Sequence, residues 1–254
     1  MDNIKKIILS DLVINDTVFL PETGLQYPWE WIGNIDHFLK DIKSSQSSFE
    51  NVVIDELNGP VCISSSAKVE PFTVINGPVF IGNNCLIKSH SNISNSIINH
   101  DCKVKGEIHT SIFQPFSNKA HEGFIGHSFI GSWVNLGAGT TTSNLKNNYS
   151  AVSVKWNDSL VNTNSIFFGS IIGDHVKTAI GTNLNTGTVI EMGSNIVSQS
   201  FPKRHIPSFS FYYKEKLSKI NFDDFKKTAK AAMKRRNIDF SSYEDKLFTV
   251  YKKD

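Results

Sequence analysis

Cysteine is scarce: three residues, Cys62, Cys85 and Cys102, an odd number with no metal-ligand spacing. That speaks against a disulfide-stapled scaffold or a thiolate zinc cluster, and reads as free thiols in a reducing compartment. An excess of one charge is also missing. The formal net charge is only +2, so composition makes no demand for nucleic acid. The late cluster KKTAKAAMKRR reads as a solvated helix face. No basic-then-apolar leader is read at the start, and no apolar run is long enough to span a bilayer. The cytoplasm is therefore the expected location, with neither membrane nor nucleic acid as partner. At 39% hydrophobic and 20% charged residues over 254 positions, the chain has the make-up of a globular protein with a sizeable core.

What the middle of the chain does have is a beat. In ISSSAKVEPFTVINGPVFIGNNCLIKSHSNI, aliphatic residues fall at Ile63, Val69, Ile75, Ile81, Ile87 and Ile93, six apart each time. The residue four further on is small or β-branched: Ala67, Thr73, Val79, Cys85, Ser91, Ile97. A second series runs Ile172, Thr178, Leu184, Ile190, Ile196, with companions Val176, Thr182, Thr188 and Ser194. A shorter run pairs Ile130 and Leu136 with Val134 and Thr140. A helix needs a period near 3.6 and a half-buried strand a period of 2. Period six suits a solenoid of short strands joined by tight corners, with one inward anchor per face. Gly82, Gly126, Gly131, Gly137, Gly173 and Gly181 then mark positions near corners. Cys85 and Cys102 fall at inward small positions and read as packing. The beat slips between Ile97 and Ile98, resuming at Ile98 and Val104, and slips again near Phe129–Ile130.

Between Thr141 and Ser165 the beat stops, which reads as an ejected loop. Within it, AVSVKW and SLVNT flank Asn157-Asp158, a hairpin signal. Such loops are where solenoids place ligand contacts. The ends differ from the middle. An apolar run (Ile7, Ile8, Leu9) opens the chain, and YPWEWIGNIDHFLKDI predicts a short helix starting near Pro28. After Pro207 the pattern turns helical. Phe222, Phe225, Ala229 and Ala232/Met233 share one face, and Ser241 with Glu244 predicts a capping box.

The hexads resemble those of the hexapeptide-repeat acyltransferases. Three segments in order narrow the match over about residues 59–210: NKAHEGFIGHSFIGSWVNLGAGTTTSNLKNNY, GDHVKTAIGTNLNTGTVIEMGSNI and FPKRHIPSFSF. They look like the acetyltransferase half of bifunctional glucosamine-1-phosphate acetyltransferase/UDP-N-acetylglucosamine pyrophosphorylases, above all the Bacteroidetes-type sugar nucleotidyltransferase-like branch. The resemblance implies a mainly β fold, a left-handed parallel β-helix with an ejected loop and a C-terminal helical tail. The expected division is an N-terminal segment, 1–58, packing on the first coil; the β-helix, 59–200, with its loop at 141–165; and the tail, 201–254. Nothing in 1–58 resembles a nucleotidyltransferase, so pyrophosphorylase activity is not expected. A homotrimer with sites between neighbouring subunits is implied, with acetyl-coenzyme A as co-substrate.

Acyl transfer from a thioester needs a base, a donor for the oxyanion and a means of holding the partners together. Histidine suits the base because its pKa lies near neutrality. The resemblance puts the family's catalytic histidine at His121, in NKAHEG, with Glu107 as its carboxylate partner. It puts the sugar-binding asparagine at Asn135 and the acyl-group asparagine at Asn144. The backbone amide facing the thioester carbonyl falls at Ala138. Ala179, Gly181 and Gly187 are expected along the pantetheine arm, and Lys203 and Arg204 at coenzyme A phosphates.

The chain departs from the family in its phosphate grip. Where the family has an arginine, a lysine and a tyrosine, this chain has the neighbourhood of Ser91, His109 and Phe124. Phe124 cannot donate a hydrogen bond, and His109 is not a fixed cation as lysine is. Lys88, Lys105 or Lys119 are the available substitutes. The expected acceptor is thus an amino sugar other than glucosamine 1-phosphate, such as a nucleotide-linked one. Sugar O-acetylation, a non-catalytic trimeric scaffold, and a γ-carbonic-anhydrase-like zinc site built from His90, His121 and His127 are the competing readings.

Overall fold

The computed structural model describes residue 25 and residues 27–45 and 48–253; the predicted apolar run at Ile7–Leu9 lies outside them. The hexads become a three-faced parallel β-solenoid, with successive coils paired in register. On the second face Ile63 lies beside Ile81, which lies beside Ile98. Phe113, Ile130, Ile172, Ile190 and Ile206 continue the same column, and all eight side chains are buried. Ile75, Ile93, Ile108 and Ile125 line the first face, and Ile87, Val104, Leu136 and Ile196 the third. No coil can bury its own anchors, so stacking forms the core. Each fully buried anchor contributes about 1.5–3 kcal/mol. The small companions also point inward: Cys85, Thr73, Ser91, Val134, Thr140 and Ser194 are all buried. Cys85 donates Sγ–H to the Asn99 carbonyl at 2.8 Å.

A full coil takes eighteen residues, as from Ile63 to Ile81. The slips in the beat are short coils: Ile98 keeps its place in the column while Ile97 turns outward. Corners take bulky residues in the left-handed region. Where the second face turns into the third, Phe116, Trp133 and His175 have φ of 65°, 61° and 59°. Of the six glycines expected near corners, only Gly181 has such a φ. Gly131 answers a different need, close approach. A Cβ there would sit 2.7 Å from the Asp174 backbone nitrogen on the next coil.

Two additions cover the solenoid's flanks. The predicted N-terminal helix is two short ones, α1 (Pro28–Ile32) and α2 (Ile35–Leu39). They part where the Asn34 side chain donates to the Glu30 carbonyl at 2.7 Å. Their apolar residues pack on the outward side of the second face, at Ile97, Ile112, Phe129 and Ile171. They therefore reach well past the first coil. At the other end α3 (Phe222–Lys234) and α4 (Ser241–Lys253) close over the aromatic corner. Phe222, Phe225, Ala229 and Met233 are the buried stripe of α3, as its period predicts. The expected Ser241–Glu244 capping box does not form. Asp239 accepts from Ser241 instead, and Glu244 is drawn to Lys226 and Lys230 on α3.

The ejected loop leaves later than predicted. Thr141 and Thr142 still pair with the next coil, and the chain departs after Asn144. At its tip Ser153–Trp156 and Ser159–Asn162 form the expected antiparallel hairpin, with Asn157 and Asp158 at φ 47° and 61°. The hairpin's Val154 and Trp156 pack against Trp29 of α1. No helix among the described residues is long and apolar enough to cross a membrane.

Candidate active site

His121 sits where the third face turns into the first, and its side chain is exposed. Three neighbours shape that corner. Lys119 occupies an inward anchor position in the hexad, in register with Val104, and is fully buried. Its ammonium turns back to donate to the carbonyls of His121 and Glu122, the latter at 2.6 Å. The sequence offers Lys119 as a substrate contact; in the structure its charge is engaged by the chain's own carbonyls. Glu122 accepts from Lys105 at 2.8 Å, and that ion pair holds its carboxyl down to about 2. Glu107 lies exposed on the first face, in register with Phe124, and makes no hydrogen bond to His121.

Burial lowers the Lys119 ammonium from 10.5 to about 8, with Glu122 opposing the shift. The native state therefore sheds this proton before the unfolded chain does, so the contribution of this group to folding stability is least favourable below pH 8 and becomes more favourable between pH 8 and 10.5. Lys119→Met is expected to flatten that rise by up to about 3 kcal/mol. Denaturant midpoints measured from pH 7 to 10.5 check it; an unchanged pH slope in the variant would contradict it.

Ala138 occupies the same corner as His121, one coil on. The two turns are tied directly, since Gly139 N–H donates to the Glu122 carbonyl at 3.1 Å. Ala138 is half-exposed, and its N–H finds no acceptor among the described residues. The next turn follows in line, with Gly181 N–H on the Ala138 carbonyl at 2.7 Å. Ala179 and Gly181 thus extend the ladder of corners, whereas Gly187 packs against Val152. Asn135 is exposed on the third face, between Asn118 and Lys177. Lys203 and Arg204 are exposed just before the second face's last strand, His205–Ile206.

Asn144 belongs to a separate cluster on the first face. Its amide Nδ2 lies 2.9 Å from His127 Nδ1. Burial, reinforced by His109, pulls His127 down to about 4. The ring is therefore neutral near pH 7, and its Nδ1 accepts the amide proton. Phe167, from the loop's return, stacks on His127 at 5.3 Å, and His109 meets it edge-on at 5.2 Å. Ser94 holds His109 through Nδ1 at 2.7 Å. Gly126 makes the room, because a Cβ there would strike the Phe124 ring and the Asn144 amide. Sequence reasoning names Asn144, His109 and Phe124 but misses His127 and Phe167 as their supports. The sequence carried one signal for them, the end of the expected loop at Ser165, two residues before Phe167. Of the three histidines of the zinc reading, His90 stacks on Phe72, His127 holds Asn144 and His121 stands at its own corner. Among the described residues no three His, Cys, Asp or Glu side chains are grouped to hold a metal.

Hexad columns, three faces and an ejected loop define a hexapeptide-repeat β-solenoid protein. In sequence the chain is similar to the bifunctional protein GlmU of two archaea. It is 32% identical to that of Methanococcus aeolicus over 202 residues, covering 74% of this chain and 46% of the relative. It is 31% identical to that of Methanococcus vannielii over 237 residues, covering 84% and 52%. The resemblance read from the hexads and the three segments is borne out, and the chain spans about half the length of these relatives. Among solved structures, the polysialic acid O-acetyltransferase OatWY matches at 19% identity and a TM-score of 0.32, over 68% of this chain and 86% of that one. Francisella novicida UDP-N-acetylglucosamine acyltransferase matches at 16% and 0.26, over 80% and 76%. No protein-family model matches the chain.

Proposed function

We propose that the protein is an acetyl-coenzyme A-dependent acetyltransferase acting on an amino sugar carried by a nucleotide or phosphate. One observation carries this reading: the exposed imidazole of His121 and the Ala138 N–H, which has no acceptor among the described residues, stand on adjacent rungs of one corner whose turns are joined by the 3.1 Å bond from Gly139 N–H to the Glu122 carbonyl. Rungs of a parallel sheet lie about 4.8 Å apart. In this reading the acceptor's amine attacks the thioester carbonyl while His121 takes its proton. Ala138 N–H donates to the oxyanion of the tetrahedral intermediate. Collapse of that intermediate breaks the carbon–sulfur bond and releases the coenzyme as its thiolate. Asn144 contacts the acyl group with its carboxamide oriented by His127. Asn135 contacts the sugar, and Glu107 acts as a general electrostatic partner of the imidazolium. Ala179, Gly181, Lys203 and Arg204 take the coenzyme, and a homotrimer completes each site.

The first face supports an acceptor other than glucosamine 1-phosphate. His109 is tied to Ser94, and the Phe124 ring packs over Gly126, so neither offers a fixed cation to a phosphate. Thiol release from acetyl-coenzyme A, followed with a panel of acceptors, is the test. Turnover is expected with a UDP-linked amino sugar and not with glucosamine 1-phosphate. Turnover confined to the latter would refute the acceptor assignment, and no release with any amino sugar would refute the activity.

A further inference from the structure

The outward row of the third face carries cations that the proposed chemistry leaves unused. Lys103, Asn118, Asn135, Lys177 and Asn195 occupy successive rungs of that row. Arg236, two residues beyond α3, reaches onto it and donates from Nη2 to the Asn118 carboxamide oxygen at 3.3 Å. Lys177 donates from Nζ to the His175 carbonyl at 3.1 Å. Among the described residues no carboxylate forms an ion pair with Lys103, Lys177 or Arg236. The row is thus rich in donors and lacks negative charge.

That arrangement is costly in the free protein. Lys177 is half-buried, and that burial pulls its ammonium from 10.5 to about 8 with no carboxylate beside it to oppose the shift. A structural role would be met as well by an apolar side chain of the same length, since unpaired buried charges destabilise. An anion seated between the Lys177 ammonium and the Arg236 guanidinium would offset this cost. Arginine offers a planar fork and lysine a point charge, the pair of donors that phosphate oxygens accept from.

We propose that Lys177 and Arg236, flanking Asn135 on the third face, form a binding site for a phosphate or diphosphate group of a substrate. Lys177 and the Asn118 rung where Arg236 docks are two rungs apart, roughly 10 Å. A diphosphate hydrogen-bonded at both ends spans that distance better than a single phosphate. The assignment of this group to a sugar acceptor rests on the reading that Asn135 faces that sugar; the anion site itself does not.

Calorimetric titration of the full chain with inorganic pyrophosphate tests the site apart from any activity. Lys177→Met and Arg236→Gln are each expected to weaken binding by about tenfold, the loss of one charge-assisted hydrogen bond. Lys177→Arg should retain most of it, and His121→Ala should leave it unchanged. Pyrophosphate binding that ignores both neutral variants, or no binding at all, would overturn the proposal. Steady-state kinetics then separates the two sources of the group. A rise in KM for the nucleotide-linked acceptor, with kcat little changed, assigns the site to the acceptor. A rise in KM for acetyl-coenzyme A assigns it to the diphosphate of the donor.

Discussion

Replacing His121 by alanine is expected to lower turnover by about 10²–10⁴-fold, the usual contribution of a positioned general base. The fold predicts that this loss comes with almost no loss of stability. The imidazole is exposed and makes no side-chain hydrogen bond among the described residues, where the residue's backbone carbonyl accepts from Lys119. Exposed positions of that kind change stability by about 0.5 kcal/mol or less. Activity and denaturation midpoint should therefore separate cleanly in one variant. Turnover equal to wild type would remove His121 from the mechanism. A parallel fall in midpoint would mean that the corner itself had collapsed.

The largest effect on stability is expected from Trp133→Ala, at about 3–5 kcal/mol. Trp133 is buried at a left-handed corner, stacked on Phe116 at 4.2 Å and facing His175 at 6.1 Å. His175 in turn meets Phe225 of α3 edge-on at 5.5 Å. This column is the platform on which the C-terminal helices rest. Alanine removes the platform yet keeps the strain of a Cβ at φ 61°, whereas Trp133→Gly should recover about 1 kcal/mol of the loss. Amide exchange should rise first and most in 222–253, with the coil anchors still protected. Equal deprotection of solenoid and tail would contradict this order of unfolding.

The solenoid was legible because its anchors obey one rule: every sixth residue is inward, and the inward residue is usually aliphatic. The rule fails to announce its exceptions. Lys119 holds an anchor position, and nothing in NKAHEG says that a lysine has been turned into the core. The aromatic corners were also hidden, because left-handed turns predict glycine or asparagine rather than Phe116 and Trp133. Ser241 and Glu244 had the right spacing for a cap, but two lysines on α3 outbid the backbone for the carboxylate. At the candidate site, positions such as His121, Ala138 and Asn144 came from matched segments, while their supports did not. The contact between His127 and Phe167 joins residues separated by a whole excursion, and no local pattern encodes such a meeting.

That excursion leaves the spool and returns to the point where it left. Ile130 meets Ile172 in register, and Phe168 N–H reaches back to the Asn144 carbonyl at 2.8 Å. The winding therefore continues as though the intervening hairpin were absent. Pitch and payload are decoupled: a descendant of this chain can exchange its hairpin for another that packs on the same flank, while the thread of the spool stays unbroken.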